Sequence, residues 1–215
     1  MHLKRQKAPK KWPIERKGTA YLAKPRFSNN EGIPVLFIIR NVLKLAQNRR
    51  EVKALINSKK ILINGKFLRD EKHTAMLFDV ISMPSVKKYY AVNVSENGKI
   101  GVDEINEKDA GKKISKIMNK RLMKGKKMQI NLGDGRNLLS DIKCKVNDSV
   151  LIDLKKEGVE KCIPLQEKAN IVVFDGKHTG VKGKIKSIDR KEGIAKIMQG
   201  DKEINVLIKQ MIVVE

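Results

Sequence analysis

The sequence holds only two cysteines, Cys144 and Cys162, among 215 residues. They form no CxxC pair and nothing like a disulfide framework, so they read as reduced, buried structural thiols of a cytoplasmic protein, with no zinc site. Neither has a histidine nearby in sequence, and nucleophilic catalysis is not expected of them. Long apolar runs are also missing. The longest, Ile33 to Ile39, is interrupted by Pro34 and closed by Arg40, far short of the ~20 apolar residues that cross a bilayer. Met1 to Lys11 carries charge without a following apolar stretch, so no secretory signal is expected and the chain should stay where it is made. Aromatic residues make up 4% of the chain, with one tryptophan, Trp12. Acids are scarce as well: 24 against 47 Lys and Arg leave a net charge of +23. Such self-repulsion calls for a polyanionic partner, nucleic acid or an anionic membrane, and with no spanning segment the membrane is the weaker of the two.

Residues suited to chemistry do not gather. His2, His73 and His178 lack metal-ligand spacing and read as RNA-contacting or exposed. The pairs Asp70-Glu71 and Asp103-Glu104 are sequence neighbours that would face apart in a strand, which spoils them as general acid and base. No catalytic residue, metal, cofactor or small-molecule substrate is expected.

What is present is charge in particular places. Residues 1–30 hold nine Lys or Arg against one acid, Glu15, and Pro9, Pro13 and Pro25 block a continuous helix. The segment reads as a basic arm over 1–32 that orders only against a partner. Lys4, Arg5, Lys7, Lys10 and Lys11 are its candidate phosphate contacts, while Trp12 and Tyr21 are suited to stacking on RNA.

From Pro34, the apolar positions Val35, Leu36, Ile38, Ile39, Val42, Leu43 and Ala46 predict an amphipathic helix of about three turns. A shorter helix is expected from about Arg49 to Asn57, then a hairpin at Asn64-Gly65 between two apolar runs. Arg49, Arg50 and Lys53 stand at the start of the second helix, where free N–H groups and the helix dipole favour phosphate. Lys60, Lys66 and Arg40 join them as candidate RNA contacts, with Gly65 as the turn glycine.

Further on, strands are expected at Leu77–Met83, Tyr89–Val94, Lys99–Ile105, Met128–Leu132 and Ser149–Leu154. Residues 112–127 carry eight Lys or Arg and no acid, and Ile114, Ile117, Met118, Arg121 and Leu122 fall at helical spacing. Five short apolar runs after Ala169 suggest a small barrel. Within them, Asp175 to Ile185 carries Gly176, Gly180 and Gly183 among Lys177, His178, Lys182 and Lys184, a loop suited to close approach of a sugar-phosphate chain. A P-loop does not compete, because Lys184 is followed by Ile185 where Ser or Thr is needed.

The helix-helix-hairpin stretch resembles the alpha-L RNA-binding module named after bacterial ribosomal protein S-four, departing from it at Lys59, where that module has Gly. The glycine loop resembles the KOW motif of SH3-like barrels. Together with His2-Leu3-Lys4-Arg5 in the arm, Phe78-Asp79-Val80-Ile81, and Lys145-Val146-Asn147-Asp148 before the barrel, the whole chain resembles the archaeal and eukaryotic S-four-e family of small-subunit ribosomal proteins. That resemblance implies an α+β, multi-domain fold: basic arm (1–32), alpha-L module (33–76), central β-rich domain (77–168) and KOW barrel (169–215). It also implies strands across much of 112–132. The function implied is a structural constituent of the small subunit that binds and stabilises its rRNA beside neighbouring ribosomal proteins, without forming a homo-oligomer. A free elongation or ribosome-rescue factor is the alternative. An RNA-modifying enzyme is poorly served, since 77–168 is too short and too basic for a catalytic domain.

Overall fold

The computed structural model describes residues 2–27, 31–124, 127–200 and 202–214. The chain divides into two compact units, one of Met1–Ser95 with Lys99–Gly111, the other of Lys112–Glu215 with Glu96–Gly98. Strands dominate both.

In the first unit the arm is folded. Strand β1 (Leu3–Lys4) pairs antiparallel with β2 (Tyr21–Leu22), and the backbone of Lys11 accepts a hydrogen bond from Ile100 N at 2.7 Å. Strand β3 (Ile33–Pro34) leads into a helical turn, α1 (Val35–Phe37), which widens into a π turn over Ile38–Val42. The expected three-turn helix is therefore shorter and differently wound. Residues Val35 to Ile39 are all buried, so this segment is enclosed by core instead of presenting one apolar stripe. Leu43 N bonds back to Ile38 O, and Lys44 in the left-handed region (φ 53°) turns the chain away.

Helix α2 (Arg49–Asn57) begins where the sequence suggests. Asn48 caps it by accepting from Glu51 N at 3.0 Å, while Glu51 reaches back to accept from Gln47 N at 2.7 Å. It ends in a Schellman motif: Lys59 N donates to Ile56 O and Lys60 N to Leu55 O. Lys59 itself adopts φ 55°, so the turn a glycine favours is kept with a lysine in it.

The hairpin of β4 (Leu62–Ile63) and β5 (Lys66–Phe67) turns at Asn64 (φ 49°) and Gly65 (φ 77°), the two positive dihedrals of a type I′ turn. Buried Asn64 donates to Asp79 Oδ1 (2.8 Å) and accepts from Val80 N (3.0 Å), which ties the turn to the following strand. Strand β6 (Thr74–Ala75) pairs with β3. Strands β7 (Val80–Met83), β8 (Lys88–Val94) and β9 (Ile100–Ile105) extend the hairpin into a sheet ordered β5-β4-β7-β8-β9. The strands over 77–111 thus share a sheet with the hairpin.

The described residues of the second unit form two sheets. Strands β10 (Lys112–Leu122), β11 (Met128–Leu132), β12 (Asn137–Leu139), β13 (Ser149–Asp153) and β14 (Gly158–Ile163) lie in the order β12-β11-β10-β13-β14. Residues 112–122 are strand, not helix. The helix-like spacing has a physical source: β10 pairs with β13 through Lys112–Lys116 and with β11 through Ile117–Leu122, and a bulge between Ile117 and Asn119 shifts which residues face inward.

Strands β15 (Asn170–Val173), β16 (Lys182–Asp189), β17 (Ile194–Gln199), β18 (Lys202–Leu207) and β19 (Met211–Val213) make the other sheet, ordered β18-β17-β16-β15-β19. Two lysines of β10 are buried. Lys113 pairs with Asp134 at 2.6 Å, and Lys116 donates to the carbonyls of Ile208 and Met211, binding one sheet to the other. Burial lowers the Lys116 pKa to about 8.

Two outcomes follow for stability. Replacing Lys59 by Gly relieves a left-handed Cβ, partly offset by the entropy of glycine in the unfolded chain, and raises unfolding free energy by about 0.5–1 kcal/mol; the urea midpoint checks this. Lys116 binds its proton less tightly when folded, so between about pH 8 and the ordinary lysine value the unfolded chain holds more protons and stability rises with pH. The stability difference between wild type and Lys116→Met should accordingly move in favour of wild type across that window, measured by denaturation at each pH.

Candidate nucleic-acid interface

The arm's basic residues are gathered by its own fold. Arg5 donates from Nε to Thr19 O (2.7 Å), from Nη1 to Glu15 O (2.5 Å) and from Nη2 to Thr19 Oγ1 (3.1 Å). This clasps the loop 15–19 back onto the turn that follows β1. Gly18 (φ 137°) makes the clasp possible, since a Cβ there would lie 2.7 Å from the Arg5 guanidinium. The result is a concavity of about 610 Å³ whose lining includes Lys4, Arg5, Arg16, Lys17 and Tyr21 and, among the described residues, no carboxylate. Tyr21 is 57% exposed and meets His2 edge to face at 4.7 Å. Cationic donors held in place beside an accessible ring suit a phosphate-sugar-base unit.

Trp12 is not part of that surface. The expectation that it stacks on RNA is corrected by its burial: the ring is 2% exposed, lies 5.5 Å from Phe37, and donates through Nε1 to Gly32 O at 3.0 Å. Leu3, Ala8, Ile14, Leu22 and Ala23 pack with the same core, so the arm orders against its own unit and needs no partner to do so. Lys7 and Lys10 are exposed, and Lys11 is half-buried.

In the helical stretch, Arg49 is engaged by buried Glu71, donating from Nε at 3.0 Å and from Nη2 at 2.5 Å, with Lys53 Nζ 3.9 Å from the same oxygen. The start of α2 is also taken up by Asn48 and by the Glu51 carboxylate. One first-turn N–H, that of Glu51, is thus already capped, and the Glu51 carboxylate places a negative charge of the chain's own at the helix start. Arg50 is exposed there, as are Lys60 and Lys66, while Arg40 is half-buried 5.5 Å above the Phe37 ring.

The glycine loop divides its work differently from the expectation. Gly176 (φ 89°) and Gly180 (φ 93°) hold the turn, with Thr179 Oγ1 donating to Gly176 O at 2.6 Å and Gly180 N to Val173 O at 2.8 Å. Gly183 faces the neighbouring strand, not a ligand: a Cβ there would sit 2.3 Å from Met198 O. Its role is to let β16 approach β17. Lys177, Lys182 and Lys184 are exposed and His178 is half-buried.

Sequence reasoning underweighted Arg16, Lys17 and His2, whose approach to Lys4 and Tyr21 depends on the pairing of β1 with β2. His73 is half-buried with its ring edge against Phe27, and burial lowers its pKa, so it is a packing residue. Cys144 and Cys162 are free thiols of the second unit's core. Burial, with the Cys144 thiol and the Asp148 carboxylate beside it, pushes Cys162 up to about 12, an unreactive value. No helix among the described residues is long and apolar enough to cross a membrane.

The family described as Ribosomal family S4e matches residues 86–159, and the RS4NT (NUC023) domain matches residues 1–27. The chain is 35% identical over 190 residues to small ribosomal subunit protein eS4 of Methanocella arvoryzae, covering 87% of this chain and 80% of that one. It is 37% identical over 191 residues to the eS4 protein of Methanothermobacter thermautotrophicus, covering 87% and 79%. Among solved structures, the 30S ribosomal protein S4e from Thermoplasma acidophilum shares the fold with a TM-score of 0.74 at 23% identity, covering 86% of this chain and 95% of that one. With identity above a third carried along about four fifths of each of those two relatives, the chain belongs to the small ribosomal subunit protein eS4 family.

Proposed function

We infer that this chain is a structural constituent of the small ribosomal subunit, acting in translation, and that it binds and stabilises small-subunit rRNA chiefly through the folded face of its arm. The carrying observation is the concavity in which Lys4, Arg5, Arg16 and Lys17 surround an exposed Tyr21 with no carboxylate in its lining. Backbone-directed electrostatics supplies most of the affinity in such an interface, and the aromatic ring adds shape.

Two finer readings go with it. Residues 33–76 act as an alpha-L module whose RNA face is carried by Arg50, Lys60 and Lys66, Arg49 being committed to Glu71. Residues 169–215 act as a KOW-type SH3-like barrel that meets RNA with Lys177, Lys182 and Lys184. The chain works as a single copy among neighbouring ribosomal proteins in the cytoplasm and carries no catalysis of its own. Nothing in the fold favours a free regulatory factor.

The test is salt dependence. Lys4→Ala with Arg16→Ala and Lys17→Ala should weaken binding of the full chain to small-subunit rRNA and reduce the slope of log K against log salt by about 2, at roughly 0.7 per single-stranded phosphate contact. An unchanged slope, with the urea midpoint also unchanged, overturns the assignment of this surface.

A further inference from the structure

The basic segment 112–127 is absorbed only partly by the reading above, because Lys113 and Lys116 are buried and Lys120 donates to Cys144 O. What the strand register creates beyond them is a face that the sequence does not display. Asn119 lies opposite Asn131, and Asn131 opposite Asn137; Arg121 lies opposite Gln129, and Gln129 opposite Leu139. Directly paired residues project to the same side, so β10, β11 and β12 present two cross-strand rows, Asn-Asn-Asn and Arg-Gln-Leu.

The opposite side of these strands holds Ile130 and Leu138 against the core, and the two rows are exposed or half-exposed. No Asp or Glu occurs from Lys112 to Gly133. Lys124 and Lys127, both exposed, flank the hairpin end beside Arg121.

We propose that this amide face docks on the minor groove of an RNA duplex, with Arg121, Lys124 and Lys127 lying over the flanking phosphates. The proposal rests on the reading of the chain as an RNA binder and adds a duplex-directed surface on the second unit. Three strands set the rows about 10 Å wide, a flat strip that suits the wide, shallow A-form groove. That groove displays 2′-hydroxyls and base edges, which are donors and acceptors without net charge. Carboxamides offer both complements: Gln129 Nε2 already donates to Asn131 Oδ1 at 2.9 Å, and each side chain has its other polar atom besides. An acidic protein would be met better by lysines than by asparagines, whereas a strip of amides with cations gathered at its hairpin end matches an uncharged groove beside phosphate.

The experiment compares the full chain and its variants on an RNA hairpin duplex and on DNA of the same sequence. Asn119→Ala with Asn131→Ala and Asn137→Ala should weaken RNA-duplex binding about tenfold, leave DNA binding unchanged and keep the salt slope. Arg121→Ala with Lys124→Ala and Lys127→Ala should weaken both and flatten the slope. Because triple alanine variants risk the sheet, the near-isosteric Asn131→Asp is measured beside them: it keeps the shape, places a carboxylate in the groove and should also cost the RNA preference. If wild type binds RNA but the amide variants retain its RNA-over-DNA ratio, this proposal falls and the arm's role stands. The same holds if the face is covered in assembled subunits only by protein. If wild type binds no RNA, it is the underlying reading that fails.

Discussion

The burial of Trp12 is the constraint on which the arrangement of charge in the first unit depends. A single indole, set against Phe37 and bonded to Gly32 O, turns a segment with nine cations into a folded element. Removing a ring of that size from a core costs about 3–5 kcal/mol, a large share of the stability of a small domain. With Trp12 seated, β1 meets β2, Arg5 reaches the loop 15–19, and four like charges are held close together before any RNA is bound. That arrangement is unfavourable for the free protein and favourable for a complex, because the ordering cost has already been met by apolar contacts.

Charge in this protein is therefore of several kinds. Lys113 and Lys116 serve as internal ties, one to a carboxylate and one to two carbonyls. Arg49 and Lys53 are held by Glu71, and the Lys186–Glu203 pair joins β16 to β18 across the outside of a sheet. The net charge of +23 overstates how many cations are organised for a ligand. Exposed cations lie around the arm's concavity, at Arg50 and Lys60, around the glycine loop and at the hairpin end of the amide face.

Much of this was legible in the residues where local chemistry decides structure. Asn64-Gly65 specifies its own turn, Arg49 to Asn57 its helix, and the five apolar runs after Ala169 their strands. Lys59 keeps a left-handed turn that its side chain disfavours, because the Schellman bonds and the neighbouring core outweigh one residue's preference. Where long-range contacts decide, the sequence was a poor guide. Trp12 has the same residues around it whether it stacks on RNA or fills a core. The bulge in β10 disguises a strand as a helix, and the asparagine row exists only through strand register. The arm's concavity needs residues 4, 5 and 16 to 21 brought together, and no local pattern announces that pairing.

The most direct test of the central claim, that the arm is folded before it meets RNA, is amide hydrogen exchange on the free protein. Arg5 N–H bonds to Ala20 O at 2.9 Å, Trp12 N–H to Pro9 O at 3.1 Å and Arg26 N–H to Lys72 O at 3.0 Å. These amides should exchange slowly without RNA, protected alongside the strands of the first unit. Exchange at the rate of an unfolded chain throughout residues 2–27, slowing only when rRNA is added, would contradict the account.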